Sequence, residues 1–152
     1  VERRIRRLDP ETRAVVSERR SPRRGDIHAL FDELVHAPEL IAAPNITLEV
    51  MLVKSVDTLV RDGSGGWRRK GDRTVDRELA EVVSTRVLRT RADWMAFIPR
   101  DLGPPWSSAT LGEALRIPRE RARSILYCLC RASLIEERGR MGRHKLYVER
   151  AG

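Results

Sequence analysis

The chain has 152 residues, enough for one domain or two small ones with a real core. Thirty lysines and arginines, nearly all of them arginine, stand against 22 acidic residues, and the net charge of +8 with a pI near 10.6 describes a surface that attracts polyanions. No apolar run approaches the roughly 20 residues that span a bilayer, and the opening VERRIRRLDPETR lacks the apolar core of a signal peptide, so a cytoplasmic protein without membrane contact is the expectation. Arginine offers a planar fork of donors suited to phosphate and guanine edges, but GC-rich coding also enriches it, so charge alone decides nothing.

Residues 1–25 read as two extended runs around Asp9-Pro10-Glu11-Thr12-Arg13, because Asp-Pro starts turns and Ile5, Leu8, Val15 and Val16 are compatible with strands. Such a hairpin has too little apolar surface to stand alone. It reads as the edge of a sheet whose other strands lie outside this chain, which Val1 in place of methionine also fits. After Ser21-Pro22-Arg23-Arg24-Gly25, the residues Ile27, Leu30, Phe31, Leu34 and Val35 fall at the spacing of an amphipathic helix. Asp26 is its expected N-cap, and Pro38 and Pro44 end or kink it. His28 and His36, eight apart at the edges of that stripe, read as surface histidines rather than metal ligands.

From Asn45 the pattern alternates, with Ile46, Leu48, Val50 and Leu52 on one face and Thr47, Glu49, Met51 and Val53 on the other. Asp62-Gly63-Ser64-Gly65-Gly66 is a turn, WRRKGDR a basic second arm, and RELAEVVSTRVLRT a third strand, because Val82, Val83, Thr85 and Val87 lower helix propensity. The segment 26–104 is thus expected to be a helix plus an antiparallel β-meander, closed by a short helix that turns Trp94, Phe97 and Ile98 inward.

Residues 105–152 carry the sharpest pattern. Ser107 or Ser108 caps a short helix that buries Leu111, Ala114 and Leu115, Ile117-Pro118 makes a turn, and Pro118 opens a longer helix at its first position. That helix gathers Ala122, Ile125, Leu126 and Leu129 on one face. A hairpin follows, with Leu134 and Ile135 in one strand, Leu146 and Val148 in the other, and a glycine-rich basic tip between them. This order is that of a winged helix-turn-helix. Cys128 and Cys130 stand two apart on the long helix, point away from one another, and form neither a disulfide nor a metal site.

On that reading the opposite face of the long helix is a recognition surface for duplex DNA, carrying Arg119, Arg123, Ser124, Tyr127 and Arg131 beside Glu120. Arg138, Arg140, Arg143 and Lys145 form a wing that reaches phosphates, and Arg68, Arg69 and Lys70 form a secondary backbone contact. An ordinary solvated helix face, and a charged strand edge that blocks aggregation, would also put cations there.

Nearly the whole chain resembles the C-terminal portion of an uncharacterised bacterial family. The resemblance lies in RRSPRRG with IHALFDELVHAPELIAAPNITLEVMLV, in Trp67-Arg68-Arg69-Lys70-Gly71, in DRELAEV from Asp76, and in LGEALRIPRERARSILYCLCRASLIEERGRMGRHKLY. It implies a restriction-endonuclease-like segment ahead of these elements. Nucleases of that fold need carboxylates and an E/D-x-K pair converging on a divalent metal. No E-x-K or D-x-K occurs here, and Glu49, Lys54 and Asp57 have the wrong spacing. G-x-S-x-G, P-loop and H-E-x-x-H motifs are absent too. The expectation is an α+β DNA-binding module without catalytic residues, cofactor or metal. Two other readings stay open: part of a nuclease whose chemistry lies in an upstream domain, and a protein-interaction or homodimerisation winged helix.

Overall fold

The computed structural model describes residues 2–22, 25–64 and 71–151. It is mixed α+β, and it divides into two compact units, one of residues 1–26 with 51–86 and one of residues 27–50 with 87–152. The segments expected from sequence, 1–25, 26–104 and 105–152, are therefore grouped differently. Among the described residues, no helix is long and apolar enough to cross a membrane.

In the first unit, β1 (Glu2–Leu8) and β2 (Val15–Arg20) form the expected antiparallel hairpin. Its turn is held by the Asp9 carboxylate, which accepts from the amides of Glu11 and Thr12 at 2.9 and 2.8 Å. Those bonds hold the carboxyl below its usual range. The partner strands of the hairpin are in this chain, contrary to expectation. β1 pairs in parallel with β3 (Leu48–Arg61), from Glu2 opposite Lys54 to Leu8 opposite Val60. The long connection between β1 and β3 makes a parallel pair feasible, which a tight turn could not.

β4 (Asp72–Leu88) completes a sheet of order β2-β1-β3-β4, so the four strands form a mixed sheet and not a simple meander. Ion pairs join Lys54 to Glu81, Asp57 to Arg77 and Arg61 to Asp72, and the falling partner numbers show that β3 and β4 run antiparallel. The basic second arm and third strand expected from sequence meet in β4, which begins at Asp72; Trp67 to Lys70 lie outside the described residues. This unit buries few aliphatic side chains, Ile5, Val56 and Val60, alongside the carboxylates of Asp57 and Asp72.

The second unit is built on helices. The amphipathic stripe near residue 30 is shorter than its periodicity suggests: a 3-10 turn (Ile27–Ala29) leads into α1 (Leu30–Leu34), and a second 3-10 turn follows at Pro38–Ile41. The N-cap of α1 is Ala29 rather than Asp26, because the helix starts only after that first turn. Phe31 and Leu34 are buried as expected. α2 (Arg91–Met95) is held by a capping box between Thr90 and Asp93, and Phe31, Trp94 and Phe97 pack edge to face or tilted, with the Phe31 and Phe97 rings 4.9 Å apart.

Ser107 caps α3 (Ser108–Leu115) through a capping box with Thr110. Leu111 is buried and Leu115 half-buried, but Ala114 is exposed and Gly112 takes its place inside. The reason is the turn: the Gly112 carbonyl accepts from Ile117, and a Cβ at Gly112 would lie 3.3 Å from the Ile117 carbonyl oxygen. Pro118 is the N-cap of α4 (Arg119–Arg131), one position earlier than expected. Ala122, Ile125, Leu126 and Leu129 are buried on one face of α4, together with Cys128, whose thiol burial pushes up to about 11. Such a thiol is unreactive at neutral pH.

β5 (Ile135–Met141) and β6 (His144–Glu149) form an antiparallel hairpin. Leu146, expected in the core, is only half-buried. The inward residue is Tyr147, because its backbone exchanges two hydrogen bonds of 2.8 Å with Trp106 and thereby fixes which face of β6 meets the core. Arg91 secures the base of the hairpin by donating to the carbonyls of Leu134 and Arg150 at 3.0 and 2.6 Å.

Leu129 is fully buried in this core. Leu129→Ala should cost about 2 to 5 kcal/mol in chemical denaturation followed by helical circular dichroism; a midpoint equal to the parent's would place Leu129 outside a close-packed interior.

Candidate functional site

The turn after α3 and the base of the hairpin bring the first half of α4 alongside the strands β5 and β6, and between them lies an open cleft of about 550 Å³. Its walls are Ser108 from α3, Arg119, Arg123 and Leu126 from α4, and Arg140, Arg143, His144, Lys145 and Tyr147 from the hairpin. Five side chains of this lining are cations and none is a carboxylate. The hairpin geometry that delivers them depends on two glycines. Gly142, with φ of 59°, takes the first position of the two-residue turn, and Gly139, with φ of 120°, sits where the register shifts between Glu137 and Arg140.

The cations are not equivalent. Lys145 donates to Glu137 at 2.7 Å and Arg140 to the same carboxylate at 3.5 Å, which holds the Glu137 carboxyl below, and the Lys145 ammonium above, their usual ranges. Arg119 donates toward the imidazole of His144, at 2.6 Å from Nδ1 and 2.8 Å from Nε2, and toward Ser108 Oγ at 3.4 Å. Among the described residues, Arg119, Arg123 and Arg143 have no carboxylate partner, and Arg123 and Arg143 lack a side-chain partner of the kind that His144 gives Arg119. Partial desolvation, then the positive charges of Arg119 and Arg143, hold the His144 imidazole below its ordinary value of 6.5.

Of the residues singled out from sequence, Arg119, Arg123, Arg140, Arg143 and Lys145 meet in this cleft. Ser124, Tyr127, Arg131 and Arg138 do not line it. Ser124 donates back to the Glu120 carbonyl at 3.4 Å, Tyr127 is exposed further along α4, and Arg131 stands at its C-terminal end. Arg138 is held by Glu136 at 2.6 Å. Arg68, Arg69 and Lys70 lie outside the described residues. His144, Ser108 and Tyr147 were not anticipated; the signal for His144 was its place beside Arg143 at the hairpin tip. His28 stacks edge-on against Phe97 with ring centroids 6.0 Å apart, His36 is exposed, and no group of three or more histidine, cysteine, aspartate or glutamate residues that could hold a metal occurs among the described residues.

The family model described as "Domain of unknown function (DUF8091)" matches residues 1–89. The chain belongs to this family. The matched region takes in β1 to β4 and ends ahead of α2, so it covers the four-stranded sheet and not the cleft. No curated protein and no solved structure matches the chain.

An anion entering the cleft would offset the charges that disfavour a proton on His144, so its binding would take up a proton and strengthen as pH falls through the range in which His144 titrates. In a histidine NMR titration the His144 midpoint should lie below 6.5, rise in Arg119→Gln, and rise again when pyrophosphate is added. A midpoint that neither the substitution nor pyrophosphate moves would show that the cleft cations do not govern this imidazole.

Proposed function

We propose that residues 106–149 act as a winged helix that binds duplex DNA, with α4 as the recognition helix and the β5–β6 hairpin as the wing. The observation that carries the reading is the cleft itself: cations from α4 and from the hairpin converge on one concave surface that no carboxylate lines. A phosphodiester backbone supplies the missing negative charge. The order of α3, α4 and hairpin, with Trp106 paired to Tyr147 as a short third strand, supports the same assignment. So does the outer surface, where the exposed large apolar side chains of α4 and the hairpin are Tyr127 and Met141 and make no broad apolar patch for a protein partner.

In this reading the roles differ along the site. Arg123 and Arg143, free of carboxylates, take phosphates first; Arg140 and Lys145 must share Glu137 with any ligand. Arg131, Tyr127 and Ser124 lie on the outward side of α4, the side that a helix laid in the major groove turns toward the bases. Binding is the whole of the function. Asp57 and Asp72, the buried carboxylates of the sheet, each engage two arginines among the described residues. On this reading, purified chain with Mg²⁺ should leave a duplex intact.

The test is a fluorescence-anisotropy titration of random and selected duplexes at several salt concentrations. Arg123→Ala and Arg143→Ala should each weaken binding across all sequences and lower the salt slope by roughly 0.9. Arg131→Ala should cost about 1 to 3 kcal/mol on a selected site and relax preference at one base pair. If the Arg123→Ala/Arg143→Ala double variant binds every duplex as the parent does at every salt concentration, the cleft is not a DNA site.

A further inference from the structure

The four-stranded sheet has two chemically different faces. Register puts Arg3, Ile5 and Arg7 of β1 on one face with Arg19 of β2 and with Asp57 of β3. Ion pairs add Arg77 to Asp57, and Arg7 and Arg61 to Asp72. The result is five arginines against two aspartates. On the other face, register sets Arg4, Arg6, Arg20 and Lys54 beside Glu2 and Glu18, and ion pairs of Arg6 and Lys54 draw in Glu78 and Glu81, so these eight charges balance. Among the residues placed in this way, the excess of positive charge lies on the arginine face.

The aspartates explain why those arginines are ordered. Asp57 and Asp72 are each 4% exposed, and a buried carboxylate has to be ion-paired and hydrogen-bonded. Arg77 grips Asp57 with two bonds of 2.7 and 3.1 Å, and Arg3 adds a third contact at 3.3 Å. Arg7 donates twice to Asp72 at 3.1 and 2.7 Å, and Arg61 once at 3.2 Å. The carboxylates are hidden, yet the arginine side chains remain 41%, 62%, 38% and 61% exposed in the order Arg3, Arg77, Arg7, Arg61. A guanidinium has five N–H donors, so a grip through one edge leaves others directed at solvent. Because the grip fixes the plane, a ligand bound by the remaining donors costs little further side-chain entropy.

We infer that this arginine face of the sheet is a second nucleic-acid contact, binding the phosphodiester backbone of a duplex independently of the α4 cleft. Spacing favours a polymer over a small phosphate. Arg3 and Arg7 are four residues apart on one strand, roughly 13 Å, too far for one phosphate group but matched by a lattice of phosphates. A fixed spacing also suits a rigid duplex better than lipid headgroups that rearrange freely. Arg19 adds an exposed cation without a carboxylate partner among the described residues.

Two triple variants of the full chain test this. Arg3→Gln/Arg19→Gln/Arg61→Gln strips the arginine face while leaving Asp57 with Arg77 and Asp72 with Arg7. Arg4→Gln/Arg6→Gln/Arg20→Gln removes the same charge from the balanced face. Both are titrated with a random duplex of about 24 base pairs across a salt series, after thermal melts show that they fold; if the first does not, Arg19→Glu replaces it. The arginine-face variant should lose tenfold or more in affinity at low salt and lower the salt slope by roughly 0.9 per contact removed, with Arg19→Glu giving a smaller loss of the same kind. The balanced-face variant should change affinity less than twofold. Equal losses from both faces, or none from either, overturn the proposal, as does an arginine-face variant that binds DNA normally but loses binding to vesicles rich in phosphatidylglycerol. The cleft variants are measured separately, so the two sites fail or stand apart.

Discussion

The apolar stripe of α4 is the constraint on which the second unit depends. Ala122, Ile125, Leu126 and Leu129 are at most 1% exposed, and they are met by Phe31 and Leu34 of α1, by the aromatic residues around α2, and by Ile135 of the hairpin. A helix with so continuous a buried face has one rotation about its axis, since turning it by one residue would put a charged side chain inside. That rotation decides what remains outside. Arg119 and Arg123 then stand on the flank nearest the hairpin, and Arg121, on the other flank, is taken by Asp32 of α1 at 3.1 and 2.7 Å. Packing thus sorts the arginines of α4 into one that braces the fold and others left for a ligand.

The sheet of the first unit works on different physics. Among its described residues the buried aliphatic side chains are Ile5, Val56 and Val60, a small apolar area for four strands. Two buried carboxylates instead tie three strands together, Asp57 joining β3 to β1 and β4, and Asp72 joining β4 to β1 and β3. Such pairs recover little net stability, because desolvation opposes the attraction, but breaking one strands a charge and costs far more. Their contribution is therefore to register. Sliding β1 by one residue along β3 would carry Arg3 to the wrong face and away from Asp57.

How much of this was legible follows from the range of the interactions. The 3.6-residue pattern of α4 and the capping serine of α3 are local, and both were readable. Tyr147 rather than Leu146 faces the core because Trp106, 41 positions earlier, fixes the strand, and alternation inside a strand as short as His144–Glu149 cannot choose a face. The parallel pairing of β1 with β3 was hidden for the same reason: its partner lies more than 40 residues away, and the chemistry that selects it is a buried aspartate that looks like any polar residue in an alternating run. In the cleft, the cations could be named one by one, but that Glu136 and Glu137 engage Arg138, Arg140 and Lys145 is a matter of hairpin register. The sequence alone counts those charges as equals.

That inequality bears on how the proposed sites would divide affinity and selectivity. A cation already paired with a carboxylate through all its donors exchanges one partner for another when a phosphate arrives, so its net gain is smaller than that of a cation with donors to spare. A cation without a partner gains the whole interaction. Among the described residues of the cleft, Arg119, Arg123 and Arg143 have no carboxylate, and Arg119 is engaged with His144, so on the proposed reading the strongest attraction would lie between Arg123 of the helix and Arg143 of the hairpin tip. On the sheet, by contrast, the arginines are paired but locked, and what they offer is fixed geometry more than unspent charge. On the proposed reading the cleft would capture a backbone by charge, and the sheet would hold one by fixed geometry, each in its own unit.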